Sequence, residues 1–340
     1  MAKLNTIGID LAKSEFAVVQ LSPTGKELMR RKLRRRQVLP FLAKQARCVV
    51  AMEACGSAHY WGREIAVLEH EVKLLPPQHV KGYQRGQKND FNDALAIAEA
   101  SQHGRVRAVR VKSVSEQDAQ SLLVIRRSVD KERTRLVNQI RGLMAEYGVV
   151  IPKGVASVRG RLPELLEDAE NGLSPRFRQL LGRQYERLLQ VEEELSWYDK
   201  ELARQAKEDE VCQRLDELPG FGVVVSSAMK HWLGDGQQFQ RGRDASAALG
   251  VVPRQHTTGG KEQLLGISKK GDRYVRSLVI HGARAVVARA DNKTDPLSVW
   301  IQQIKVRRGF NKATVALANK LIRMAWVIVA RGEHYRSRQA

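Results

Sequence analysis

The chain has 340 residues, more than the ~100–200 of one ordinary domain, so two or three domains are expected and a single small module is excluded. Its 58 lysines and arginines against 37 acids give a formal charge of +21, far beyond what solubility needs, which points to a polyanionic partner with nucleic acid first. At 43% hydrophobic residues the chain still fills cores, so it reads as a folded protein with a basic surface rather than a solvated tail.

The opening MAKLNTIGID meets charge and glycine at once and carries no signal-peptide core, and no run of ~18 apolar residues occurs anywhere. Val315 to Ala330 comes nearest, but Lys320 and Arg323 break it, so it is expected to be a buried amphipathic helix. Three cysteines, Cys48, Cys55 and Cys212, form no CxxC pair, which fits a reducing cytoplasm and no membrane. Charge is uneven along the chain. Residues 1–110 and 216–340 are strongly basic, while 111–215 balance 18 bases with 18 acids, the mixed pattern of an exposed helix laced with ion pairs.

In chain order, Leu4 to Ile9 and Phe16 to Leu21 are strand candidates, and Pro23-Thr24-Gly25 is a turn. The basic run Arg30 to Arg36, with Arg34, Arg35 and Arg36, reads as a nucleic-acid patch, a localisation signal being the weaker reading. Cys48 to Met52 is a short apolar run suited to a strand buried on both faces; a helix from Ala58 to Glu69 and a strand near Val72 to Leu75 follow. Asn92 to His103 reads as a helix stopped by Gly104. Strands alternating with helices imply an α/β layer with ligands at the strand ends.

From Ser115 to Tyr147 apolar residues recur at Leu122, Ile125, Val129, Leu136, Ile140 and Leu143, the spacing of a long helix with one sticky face. After a Pro/Gly break at Pro152 to Pro163, the stripe resumes from Phe177 to Leu202. A helical hairpin or coiled coil is expected, as an antiparallel pair or a dimer arm, with a solvated lone helix as the plain alternative. LDELPGFGVVVSSAM, Leu215 to Met229, is either a helix-hairpin-helix whose turn amides face phosphate or an ordinary helical corner. The stretch from Ala248 to Val279 has the composition of a loop laid on phosphates, with Lys261, Lys269, Lys270, Arg273 and Arg276 as expected contacts, and the remainder is helical. Trp61, Tyr83 and Trp232 read as core or interface rather than stacking platforms.

Four acids stand at element ends. Asp10 closes TIGID, Glu53 closes VVAME, and Asp90 and Asp93 open the helix of KNDFNDALAIAEA. Clustered carboxylates repel one another unless a cation binds them, and Mg²⁺ (or Mn²⁺) is a hard ion suited to carboxylate oxygens; two such ions ~4 Å apart serve phosphoryl transfer. Any one of the four could instead be a helix cap or a solvated acid, Asp90 a cap and Asp93 a first-turn residue.

GIDLAK around Asp10, MEACGSAHYW around Glu53 and KNDFNDALAIAEA closely resemble the RuvC-like DEDD domain of IS110-family transposases. RQHTTGGKEQLLGISKKGDRYVR resembles that family's C-terminal domain, in the HTTGGK form of its IS1111 subgroup. The resemblance implies an α/β RNase-H-like domain (1–112), a helical coiled-coil spacer used for dimerisation (113–210) and a mostly helical C-terminal transposase domain with a helix-hairpin-helix-like motif (211–340). It further implies a recombinase guided by its element's own bridge RNA or seekRNA, acting on target and donor DNA as a dimer or tetramer. In that family the two domains of different subunits form a composite site, Asp10, Glu53, Asp90 and Asp93 hold metal, and a serine hydroxyl attacks DNA to form a 5′-phosphoserine link.

Counted from Gly250 to Pro253, the serine's place falls on Thr258. Three readings stay open: Thr258 is the nucleophile, another hydroxyl such as Thr257 or Ser268 serves, or strand transfer is impaired, since a threonine's methyl crowds in-line attack. His256 is a candidate base, with phosphate contact as its plainer role. A RuvC-type endonuclease using water, and a non-catalytic nucleic-acid-binding protein, are the competing functions.

Overall fold

A computed structural model describes residues 4–87, 89–104 and 106–336. Lys88, the first residue of the KNDFND motif, lies outside them. The chain divides into two compact units, one comprising the residues up to Gln117 with Gly234–Gln240, the other Asp118–Leu233 with Arg241 onward.

The first unit is built on a five-stranded sheet: β1 (Thr6–Asp10), β2 (Glu15–Leu21), β3 (Glu27–Arg34), β4 (Val49–Glu53) and β5 (Glu71–Leu75), in the order 3-2-1-4-5. β1 runs parallel to β4 and β4 to β5, while β1–β2 and β2–β3 are antiparallel. β1 and β4 are apolar up to their closing acids and buried on both faces, as expected of strands covered on either side. β3 corrects the sequence reading, which took its basic run for a patch alone. ELMRRKLR is an edge strand paired only with β2, most of its side chains are exposed, and a row of cations discourages further pairing.

Short helix α1 (Val38–Leu42) and helix α2 (Ala58–Val67) cover one face, where Ala58, Trp61 and Ile65 pack with Ile7, Ile9, Phe16 and Val18. α3 (Pro77–Val80) leads to α4 (Asp90–Gln102), which covers the other face through Ala94, Ala98, Ala96 and Ile97. Gly8 sets how closely α4 sits. A Cβ on Gly8 would fall 2.2 Å from the Ala94 carbonyl oxygen and 2.8 Å from the Ala98 Cβ.

The second unit is helical but for one hairpin. α5 (Val114–Glu146), which starts in the first unit, α6 (Val155–Glu167) and α7 (Pro175–Glu208) share one core of Val129, Leu136, Ile140, Leu162, Leu181, Leu188 and Leu195. The apolar stripe is therefore covered within one chain, although Ile125 and Leu143, expected on it, are exposed. The expected Pro/Gly break is in part a helix, because α6 runs through Pro163. Proline removes the N–H that would bond the Arg159 carbonyl, and the Tyr185 hydroxyl donates to that oxygen at 3.2 Å.

α8 (Glu210–Asp216) and α9 (Val223–Leu233) flank the Pro219-Gly220-Phe221-Gly222 turn. Gly220, at φ +78°, lies against the backbone of Gly282, so close packing accounts for that glycine. α10 (Gly242–Leu249) is followed by strands β6 (Pro253–Thr258) and β7 (Lys261–Ile267), then α11 (Arg273–Ala288), α12 (Pro296–Arg308) and α13 (Phe310–Arg331). α13 is long and apolar enough to cross a membrane by length and composition, yet half of its most apolar window is buried, with Leu317, Leu321, Ala325 and Ile328 packed inside.

Candidate active site

Asp10 and Glu53 close neighbouring parallel strands, since the register pairs Ile9 with Met52 just before them. The sheet thus brings both carboxylates to its C-terminal edge, where open α/β sheets bind ligands. Burial first, and the negative charge of Asp93 second, raise the Glu53 carboxyl above its ordinary pKa. The same edge holds Cys55, a solvent-accessible residue whose thiol is pushed up by partial desolvation and by the charges of Glu53 and Asp10.

Asn89, not Asp90, caps α4: its side chain accepts from the Asn92 N–H at 2.9 Å. That leaves Asp90 in the first turn, exposed and 3.5 Å from the Lys32 ammonium on β3. Asp93, one turn inward, accepts from Gln84 Nε2 at 2.9 Å and acts electrostatically on Glu53. Asp93 thus acts on the strand-end Glu53, while Asp90 lies by the basic edge strand. Among the described residues no three His, Cys, Asp or Glu side chains stand closely enough to cage a metal ion. Glu53 and Asp93 repel each other and Asp10 closes the neighbouring strand, so the three offer hard oxygen donors that fit a divalent cation in kind.

The basic patch has mixed roles. Arg30 pairs with Glu27 at 2.9 Å, and Arg35 lies 4.9 Å from the Trp61 ring, while Arg34 and Arg36 are exposed. Trp61 is core, as expected, only 3% exposed.

The second group of candidates stands on a hairpin where a loop was expected. β6 and β7 pair antiparallel, with Thr258 opposite Lys261 and His256 opposite Gln263. Gly259 and Gly260 form the two-residue turn with φ of +56° and +77°, the left-handed pair that such a turn requires and that glycine adopts without strain. Alternation along the strand puts Thr258, His256, Lys261 and Gln263 on one face. Thr257 belongs to the other face, where Gln255 Nε2 donates to its hydroxyl at 3.3 Å. Thr258 is exposed at the tip. Ser268 lies at the hairpin's base, its hydroxyl oxygen buried and without a hydrogen-bond partner.

Lys261, Lys269, Lys270 and Arg273 are exposed, but Arg276 is not the surface cation expected. It is 8% exposed and donates to the carbonyls of Leu249 at 3.0 Å and Lys270 at 2.5 Å, which tie the Ser268–Gly271 turn to α10. Gly271 completes that junction, a Cβ there falling 2.0 Å from the Ala248 carbonyl oxygen. Sequence reasoning missed Gly8, Gly271 and the structural use of Arg276; the only signals for the first two were a glycine within a strand and a glycine just before a helix.

Residues 7–149 match the family model of the IS110 DEDD transposase, and residues 212–297 match the model described as the transposase of the IS116/IS110/IS902 family. The chain is 42% identical over 336 residues to the transposase for insertion sequence element IS1111A of Coxiella burnetii, covering 99% of this chain and 92% of the relative. The chain belongs to the IS110 family of insertion-sequence transposases. The transposase for insertion sequence element IS1328 of Yersinia enterocolitica is also similar, at 36% identity over 332 residues and 98% of both chains. The DEDD transposase domain of this family has an RNase-H-like α/β fold, and the 3-2-1-4-5 mixed sheet is that fold's core here. Activity in this family is DNA cleavage and strand transfer, and divalent metal is the typical cofactor of such domains.

Proposed function

We propose that this transposase cuts and rejoins DNA strands through Mg²⁺-dependent carboxylate chemistry in its first unit and a covalent link to Thr258 in its second, guided by an RNA of its own element. The observation that carries the reading is the strand-end pair Asp10 and Glu53 with the charge of Asp93 acting on Glu53. Mg²⁺ held by Asp10, Glu53 and Asp93, with Asp90 at the rim, would polarise a DNA phosphate.

The chain's own part is positioning and proton transfer. The Thr258 Oγ1 attacks phosphorus, the bond to the 3′ oxygen breaks, and a 5′-phosphothreonine and a free 3′-hydroxyl result. His256, which shares a hairpin face with Thr258, would take the hydroxyl proton and return it to the departing 3′ oxygen, and Lys261 across the strand would hold a phosphate oxygen. A 3′-hydroxyl from the other DNA then attacks the phosphothreonine, which restores Thr258 and joins the strands. Residues 1–112 supply the carboxylates, 211–340 the hydroxyl, and helical 113–210 lie between. A composite site of this kind calls for at least two chains.

The test is cleavage of labelled element-end DNA by Asp10→Ala, Glu53→Ala and Asp93→Ala, with binding followed by anisotropy. Each variant is expected to lose cleavage in Mg²⁺ while binding stays within about threefold, because no phosphate-contacting cation is removed. Near-normal cleavage in any two rejects the carboxylate site.

A further inference from the structure

The helical unit carries a cavity of about 990 Å³, walled by the start of α10, by α12 and α13, and by residues 333–336. Five cations line it: Arg241, Arg243, Lys320, Arg323 and Arg336. Its apolar side is Leu297, Trp300 and Met324.

One acid, Glu333, lines the cavity itself, and the acids here are already engaged. Asp244 accepts from the Arg241 backbone N–H at 3.1 Å, Glu333 faces Arg331 at 3.9 Å, and Glu217 accepts from the Tyr335 N–H and pairs with His334, both at 3.0 Å, pinning the wall of residues 333–336. Among the described residues, none of the five cations forms an ion pair. Backbone packing holds the group together. A Cβ on Gly242 would come 3.0 Å from the Arg323 carbonyl oxygen, so Arg241 and Arg243 sit on α13 beside Arg323, and Ser246 Oγ donates to the Asn319 carbonyl at 3.2 Å. The Lys320 ammonium stands 4.8 Å from the Trp300 ring centre.

Cations gathered around an aromatic and apolar wall match a ligand that is anionic along one side and flat and apolar on the other. A duplex keeps its bases stacked inside and would offer only phosphates, and an acidic peptide would satisfy the cations but leave Trp300 unmatched. We propose that this cavity binds unpaired nucleotides of a single strand, with a base packed at Trp300 and phosphates held by Arg241, Arg243, Lys320 and Arg323. The guide RNA and a melted DNA strand share that chemistry. The inference does not rest on the carboxylate site or on Thr258.

The test uses the full chain and three fluorescein-labelled probes: ten-residue oligouridine, ten-residue oligothymidine and a ten-base-pair duplex. Lys320→Ala with Arg323→Ala, both exposed positions, and separately Trp300→Ala, are expected to weaken single-strand binding about tenfold, with Trp300→Phe within about twofold of the parent and duplex binding nearly unchanged. Tighter binding of oligouridine assigns the site to the guide, and tighter binding of oligothymidine to melted DNA. Photocrosslinking of 4-thiouridine-containing oligouridine is expected to label the peptide bearing Trp300. Unchanged affinity in the variants, equal losses for single strand and duplex, or equally strong competition by a ten-residue oligoglutamate would each overturn the proposal. Circular dichroism melting of each variant excludes unfolding as the cause of a loss.

Discussion

Glu53 sits where its strand stops being apolar, half-buried and within the field of Asp93, so its carboxyl is raised above the ordinary range. His59 is the opposite case. Its Nδ1 accepts from the Lys112 N–H at 3.2 Å, and burial, then the charges of Lys112 and Arg63, lower its pKa to about 4. A histidine depressed in the folded state binds fewer protons than in the unfolded chain, so its stabilising contribution is present above the unfolded value of about 6.5 and is lost as pH falls toward 4. NMR of the His59 ring is expected to show no titration until near pH 4; an ordinary midpoint near 6.5 would contradict the packing. Gly8 makes a sharper prediction. Gly8→Ala drives a methyl into the α4 backbone, so it is expected to cost ~1–3 kcal/mol in urea unfolding and to abolish cleavage by displacing Asp93. Near-parental stability and cleavage would show that the contact does not set the site. Asp10 and Glu53 stand out in the sequence because each ends an apolar run, and Asp93 because it opens an apolar helix. Arg276 does not, since a buried arginine bonded to carbonyls and a surface arginine look the same in a string of letters.

At the level of elements, the strands β1, β2, β4 and β5 and the long helices were readable from apolar periodicity, which burial enforces. β3, α6 and the β6–β7 hairpin were not, because each is held by something periodicity does not register: an edge pairing, a hydroxyl replacing a lost amide, and a two-glycine turn. Tyr185→Phe is expected to destabilise by ~0.5–1 kcal/mol, and by less in a Pro163→Ala background, where the helix supplies its own N–H to Arg159. Equal losses in both backgrounds would show that the hydroxyl does not compensate for the proline. On the hairpin, Gly259→Asn is expected to keep strand exchange because Asn-Gly suits the same turn, while Gly260→Val should abolish it without shifting the melting of the helical unit. Full activity in Gly260→Val would remove the hairpin tip from the reaction.

For the whole molecule, the charge of +21 is concentrated at the two ends of the chain, with the central helices neutral, so DNA affinity is expected to fall steeply with salt. Leu188 and Leu195 are buried within the chain, which removes them as assembly contacts. Exposed Ile125, Leu180, Leu189 and Trp197 on the two long helices remain for assembly, and Trp197→Glu with Ile125→Glu is expected to lower the mass seen by light scattering and to stop recombination. An unchanged mass would remove these side chains as assembly contacts. Composition and charge made the nucleic-acid partner legible, but not the helical unit's cavity, whose cations lie up to 95 positions apart and meet only through packing. The covalent step to Thr258 decides the mechanism. Protein trapped on labelled element-end DNA in Mg²⁺, digested and analysed by mass spectrometry, is expected to carry the nucleotide on the peptide containing Thr258, with Thr258→Ala losing the adduct, Thr258→Ser keeping it and Thr257→Ala leaving it in place. An adduct on Thr257 or Ser268, or DNA cut with no adduct at all, would contradict it.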